Sequence, residues 1–157
     1  MAALSPADAE VALRTFPRRW NALLGGLDPD DPDTEAVLHH PGPDNRTAAE
    51  CAAEAAAALV AADGHVRKAV TNDRPTLEPG STPADSSLRD ALGGIEAAAP
   101  ALAATVAGVA AGDLDREADL GGRTVTVRAL VADAVEHVAN LLRAAEQALR
   151  AGRAAPH

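Results

Sequence analysis

The sequence predicts an all-α protein, an antiparallel four-helix bundle, on three observations. Alanine, the strongest helix former, dominates an apolar content of 47%, while the strand-favouring residues Tyr, Phe and Ile are nearly absent. Four stretches open with capping signals and continue with apolar residues at spacings of three and four. The segments between them are rich in Pro, Gly and Asp, and no stretch carries a strand signal. Amphipathic helices bury their stripes against one another, which makes a bundle the natural packing. The 157 residues are read as one domain over 1–157, without internal repeats.

Each element follows from local chemistry. Ser5-Pro6-Ala7-Asp8 starts the first helix: Ser caps, Pro suits the first turn and Asp complements the dipole. Leu13, Phe16, Trp20, Leu23, Leu24 and Leu27 form its stripe; Pro17 is expected to kink or split it, and Gly25-Gly26 to end it. Asp28 to Asn45, rich in Asp and Pro, reads as a loop. Thr47-Ala-Ala-Glu50 is a capping box for a second helix running to about Val70. Thr71 to Ser81 reads as another loop, after which Thr82-Pro83-Ala84-Asp85 repeats the first helix's start signal. Leu88, Leu92, Ile95, Ala99, Leu102, Val106 and Val109 make the third stripe, weakened at Gly93-Gly94 and expected to bend at Pro100. Asp113 to Arg123 is polar and irregular. Thr126 caps the fourth helix, whose stripe is Leu130, Ala134, Leu141, Ala145 and Leu149, fraying at Gly152. Phe16 and Trp20 are the only aromatics, so Trp20 is expected at the centre of a thin, alanine-rich core.

Composition excludes several classes of function. Asp and Glu outnumber Lys and Arg by 23 to 14, a formal charge of −9 that repels phosphate backbones and disfavours nucleic-acid binding. A single cysteine, Cys51, forbids an internal disulfide and suits a reducing compartment. Met1 is followed by no basic-then-apolar leader, and the Ala-rich run from Ala97 to Ala111 is too short to span a bilayer. The expectation is a cytoplasmic protein without membrane contact.

His137 stands out among candidate functional residues. It is expected on the buried stripe of the fourth helix, with Asp133 one turn earlier and Asn140 three residues later. Asp133 and His137, at i and i+4, share a face and could hold one metal or one proton; equally, Asp133 could simply orient the imidazole. Glu54, in an alanine-rich stretch, is either plain solvated surface or a partner of His137 across the bundle. Cys51 reads as a small core residue rather than a nucleophile. His39-His40 reads as loop decoration, and His65 as a helix-end residue beside Asp63 and Arg67. Gly121-Gly122-Arg123 is similar to an anion-binding turn but lacks phosphate-loop spacing. No nucleophile-elbow, zinc-protease or dinucleotide motif is present in the sequence.

Three stretches, taken in order, resemble the DinB-like superfamily, which includes the mycothiol-dependent maleylpyruvate isomerase-like proteins of actinobacteria. They are Trp20-Asn-Ala-Leu-Leu-Gly-Gly-Leu27; His40-Pro41-Gly42-Pro43 with Thr47-Ala-Ala-Glu50-Cys-Ala-Ala-Glu54; and Gly121-Gly122-Arg123 through Leu130 to Asp133 and His137. The resemblance implies a divalent metal, zinc or nickel, held by one ligand from the second helix and two from the last. The helix-two histidine of that pattern falls on Glu54, the aromatic before the threonine on Arg46, and the last-helix pair on His137 and Leu141. Leucine cannot bind a metal, so the implied set becomes Glu54, Asp133 and His137. Two functions follow from the resemblance. One is a bundle with an eroded metal site, acting in small-ligand binding or protein association. The other is a metal-dependent thiol (mycothiol) transferase or isomerase working on a small electrophile. The implied partners are a small molecule or thiol ligand, with a homodimer allowed.

Overall fold

A computed structural model of the chain describes residues 4–28, 30–80 and 87–155. It is a four-helix bundle whose long helices are α1 (Pro6–Trp20), α3 (Ala48–Thr71), α4 (Leu88–Ala107) and α5 (Val127–Ala154). Four side-chain caps hold their N-termini, as the sequence predicts for three of them: Ser5 accepts from the Asp8 amide, Thr47 from Glu50 and Thr126 from Ala129. The fourth, α4, is capped by Ser87 accepting from the Asp90 amide. The start signal at Thr82–Asp85 lies outside the described residues.

Around the bundle α1 packs on α4, α4 on α3, α3 on α5 and α5 on α1. The directions depart from an all-antiparallel arrangement. Ala56 faces Gly94 and Asp63 accepts a hydrogen bond from Thr105, so α3 and α4 run parallel. Glu54 meets His137, while the Arg116 guanidinium donates to the Ala69 and Asn72 carbonyls at the other end of α3, so α3 and α5 run antiparallel. A long crossover between α3 and α4 makes the parallel pair possible.

Two irregular segments carry structure that their composition conceals. Within the expected loop 28–45, Asp31 caps a short helix, α2 (Pro32–Leu38), with Pro in its first turn and Asp33 and Glu35 at its positive end. This is the same signature as Ser5-Pro6-Ala7-Asp8, and it prevails over the Asp- and Pro-rich composition. The expectation of no strands also fails. β1 (Thr76–Leu77), β2 (Glu117–Leu120) and β3 (Arg123–Thr126) form a sheet in that order, β1–β2 parallel and β2–β3 antiparallel. Gly121 and Gly122, at φ 59° and 79°, make the two-residue hairpin turn between β2 and β3.

The helices also differ in detail from expectation. α1 passes through Pro17 unbroken and then widens into a π-helical turn over Asn21–Gly25, ending at the predicted Gly25-Gly26. α4 likewise continues through Pro100. α5 does not fray at Gly152; that glycine is buried where a Cβ would lie 3.1 Å from the Val37 carbonyl oxygen, so α2 and α5 touch there backbone to backbone. The core is centred as expected: Phe16 and Trp20 are buried, with Leu13, Leu24, Leu59, Ile95, Leu102, Leu141 and Leu149. Among the described residues no helix is long and apolar enough to cross a membrane.

Candidate functional site

The groove between α3 and α5 brings together Arg46, Glu54 and His137. The position of Arg46 is set by a tight turn. Gly42 donates its amide to the Arg46 carbonyl, Asn45 donates to the Gly42 carbonyl, and Asp44 accepts from the Arg46 amide. Asn45 adopts φ 63°, a left-handed conformation that asparagine tolerates better than most residues. Gly42 presses on α5, where an added Cβ would lie 3.0 Å from the Cα of Ala148. The turn is therefore pinned to α5, and it delivers Arg46 immediately before Thr47, the cap of α3.

Glu54 lies two turns into α3, on the edge of its buried face. Its neighbours on that face, Cys51, Ala52 and Ala55, are fully buried and small, so α5 can approach closely. One carboxylate oxygen, Oε2, lies 2.6 Å from a guanidinium nitrogen of Arg46; the other, Oε1, lies 3.5 Å from Nε2 of His137. Glu54 is thus bridged by two basic side chains. All three are partly open to water, with side-chain exposures of 40% for Arg46, 28% for Glu54 and 46% for His137.

That exposure corrects the expected burial of His137. Its helix stripe is occupied by Ala134, Val138 and Leu141, and the imidazole stands at the rim of the groove. Asp133 is exposed on the same helix, and among the described residues no three His, Cys, Asp or Glu side chains are grouped to hold a metal ion. The structure therefore assembles Glu54 and His137 but leaves Asp133 outside. Leu141, one turn beyond His137, is buried in the core.

Electrostatics follow from this geometry. Partial burial works against the charged guanidinium of Arg46, but the hydrogen bond and attraction of Glu54 outweigh it and hold its pKa above the ordinary value. Burial pushes the Cys51 thiol up to about 11 despite the opposing pull of Arg46. A thiol so protonated and enclosed is a core residue, not a nucleophile. Of the remaining histidines, His40 pairs through Nδ1 with the Pro41 carbonyl, and Nε2 of His65 lies 2.6 Å from the Glu78 carbonyl. Both have structural partners.

A cavity of about 600 Å³ lies on a different face of α3, lined by Ala53, Ala57, Val60, Gly64 and Pro79 with Asp90 at its rim. Arg46, Glu54 and His137 are not among its walls. Arg46 is the residue that sequence reasoning passed over. The resemblance puts it only at an aromatic position, and no local pattern joins it to Glu54.

No family model matches the sequence, and no curated protein matches it. The structure is similar to that of YfiT from Bacillus subtilis, described as a probable metal-dependent hydrolase with an unusual four-helix bundle topology. The TM-score is 0.80 at 12% identity, covering 96% of this chain and 89% of that one. At that identity the likeness shows a shared fold, a four-helix bundle.

A divalent metal ion sets a narrow spacing on its donors. Two donors bound to one tetrahedral ion at ~2.0–2.1 Å stand roughly 3.3 Å apart, and Glu54 and His137 come close to that spacing. The rest of the site does not fit. A guanidinium already occupies the carboxylate, a third donor is lacking among the described residues, and Leu141 offers only carbon.

Proposed function

We propose that this protein is a DinB-like bundle whose metal site is eroded and which acts through small-ligand binding or protein association. The observation that carries the reading is the 2.6 Å contact between Arg46 and Glu54. A carboxylate neutralised by a guanidinium binds a divalent ion poorly, because the ion must displace a cation before it gains a ligand. The apolar cavity beside Val60 offers a place for a small ligand that does not depend on the groove. Elemental analysis of protein purified without chelator or affinity metal tests the reading. Far less than one equivalent of transition metal is expected, and about one equivalent would overturn it.

The second reading is a metal-dependent thiol transferase or isomerase, with mycothiol as cosubstrate and Glu54, Asp133 and His137 as ligands. The spacing of Glu54 and His137 favours its metal, as does the probable metal dependence of YfiT. It requires Arg46 to withdraw and Asp133 to turn into the groove. It predicts zinc or nickel at stoichiometric occupancy and thiol-dependent turnover of a small electrophile.

A further inference from the structure

We propose that the cavity on the outer face of α3 binds a small organic cation, an amine carried on an apolar body. The inference rests on the small-ligand reading and deepens it by assigning the ligand's place and charge.

The walls and the rim of the cavity differ in chemistry. Ala53, Ala57, Val60, Ala61 and Gly64 recur along α3 at helical spacing and give the space of about 600 Å³ an uncharged side, on which Val60 is 61% exposed. Open positions on a helix are ordinarily polar, yet here the nearby charges are engaged elsewhere: Glu54 pairs with Arg46, and Asp63 with Arg67 and Thr105. The facing wall is the crossover at Pro79 and Gly80. Gly80 lies so close to α3 that a Cβ there would stand 2.7 Å from that of Ala61. Nε2 of His65, 2.6 Å from the Glu78 carbonyl, ties the same stretch to α3, so both walls are anchored. The charge at the rim is one-sided. Glu78 and Asp90 border the cavity, neither is ion-paired among the described residues, and no Lys or Arg of those residues lines it. A carbonyl can only accept, so His65 donates through Nε2, and a neutral ring then keeps Nδ1 as a further acceptor. Apolar walls enclosing this volume suit a drug-sized body, and two carboxylates select an ammonium group while turning away carboxylates and phosphates.

The test uses three probes that share one apolar body: 4-phenylbutylamine, 4-phenylbutanol and 4-phenylbutyrate. Each is titrated at low salt into the isotope-labelled full chain and followed by backbone amide shifts. The amine is expected to bind with a Kd of about 0.1–1 mM, a modest affinity in keeping with so few atoms. It should bind roughly tenfold more tightly than the alcohol, since each open carboxylate adds a small attraction, and the butyrate should bind more weakly than both. Shifts should centre on Val60, Gly64 and Gly80, and high salt should narrow the preference. The double variant Glu78→Gln/Asp90→Asn should bind amine and alcohol alike, and Ala57→Leu, which fills the cavity, should lose both. The inference is overturned if the three probes bind equally, if the shifts lie elsewhere, or if the double variant keeps the amine's advantage. Unchanged binding in Ala57→Leu also overturns it, as does a dimer in sedimentation that Val60→Asp dissolves, because a second copy would then be the occupant. A metal-free protein that binds none of the probes defeats this inference alone. About one equivalent of transition metal, with amine binding intact, defeats the eroded-site reading alone.

Discussion

The buried faces of α1 and α3 are made of different material. α1 brings Leu13, Phe16 and Trp20 to the core, and α4 answers with Ile95, Leu102 and Val106. α3 brings mainly Ala48, Cys51, Ala52, Ala55 and Ala62, with Leu59 and Val66 further along, and α5 faces it with larger residues, among them Leu130, Val138, Leu141 and Leu149, carrying His137 at the rim of the groove they share. Large side chains on the first side bury much area per residue, so stability there depends on a few positions. On the second side the small residues of α3 bury little each, but they let α3 and α5 approach until groups on facing helices touch. Trp20 is the largest fully buried side chain; Glu54 is where two basic side chains converge. A substitution that matters greatly on one side should matter modestly on the other.

The comparison can be broken most directly at Trp20. Trp20→Ala should cost about 3–5 kcal/mol in urea unfolding, enough to unfold a marginal domain at ordinary temperature. A loss near 1 kcal/mol would show that the aromatic side does not dominate.

Alkali should bring out the quiet side of α3 next. The Cys51 pKa is raised by burial from 9.0 to about 11, so the unfolded state releases the thiol proton first as pH rises. Stability linked to Cys51 is therefore fully present below about pH 9 and is lost as pH rises toward 11, by roughly 3 kcal/mol at most. Cys51→Ala should flatten that part of the profile. Equal slopes in wild type and variant would mean the thiol does not titrate with unfolding.

Gly42→Ala sharpens the link between the Arg46 turn and α5. Its Cβ would lie 3.0 Å from the backbone of Ala148, so the turn must shift, at a cost of about 1–2 kcal/mol. The shift should weaken the Arg46–Glu54 pair, so a subsequent Glu54→Ala should cost less in this background than in wild type. Strictly additive losses would show that the turn does not position Arg46.

Glu54→Ala should have the smallest effect, about 1 kcal/mol or less, because its partners are well exposed and water screens the pair. The loss should shrink further at high salt. A loss as large as that of Trp20→Ala would erase the distinction between the two sides.

Much of this was written in local patterns. Alanine content, the stripes through Leu13–Trp20 and Leu130–Leu149, and the caps Ser5, Thr47 and Thr126 specify helices because each signal acts within one or two turns of chain. The helix at Pro32–Leu38 and the hairpin at Gly121-Gly122 were equally legible, through Asp31-Pro32 and a Gly-Gly pair between alternating residues, but loop-like composition hid them. Glu54 and His137 could be paired as candidates through the resemblance, whose ligand positions they occupy. What lay beyond the sequence was long-range. The parallel course of α3 and α4 depends on where a crossover lands, the exposure of His137 on how far α5 is rotated, and the exclusion of Asp133 on that same rotation. The contact of Arg46 with Glu54 depends on a turn pinned against Ala148, far along the chain. Capping and periodicity fix each helix from its own neighbours, whereas a charge finds its partner only after the helices have packed, and that packing decided which cation Glu54 would meet.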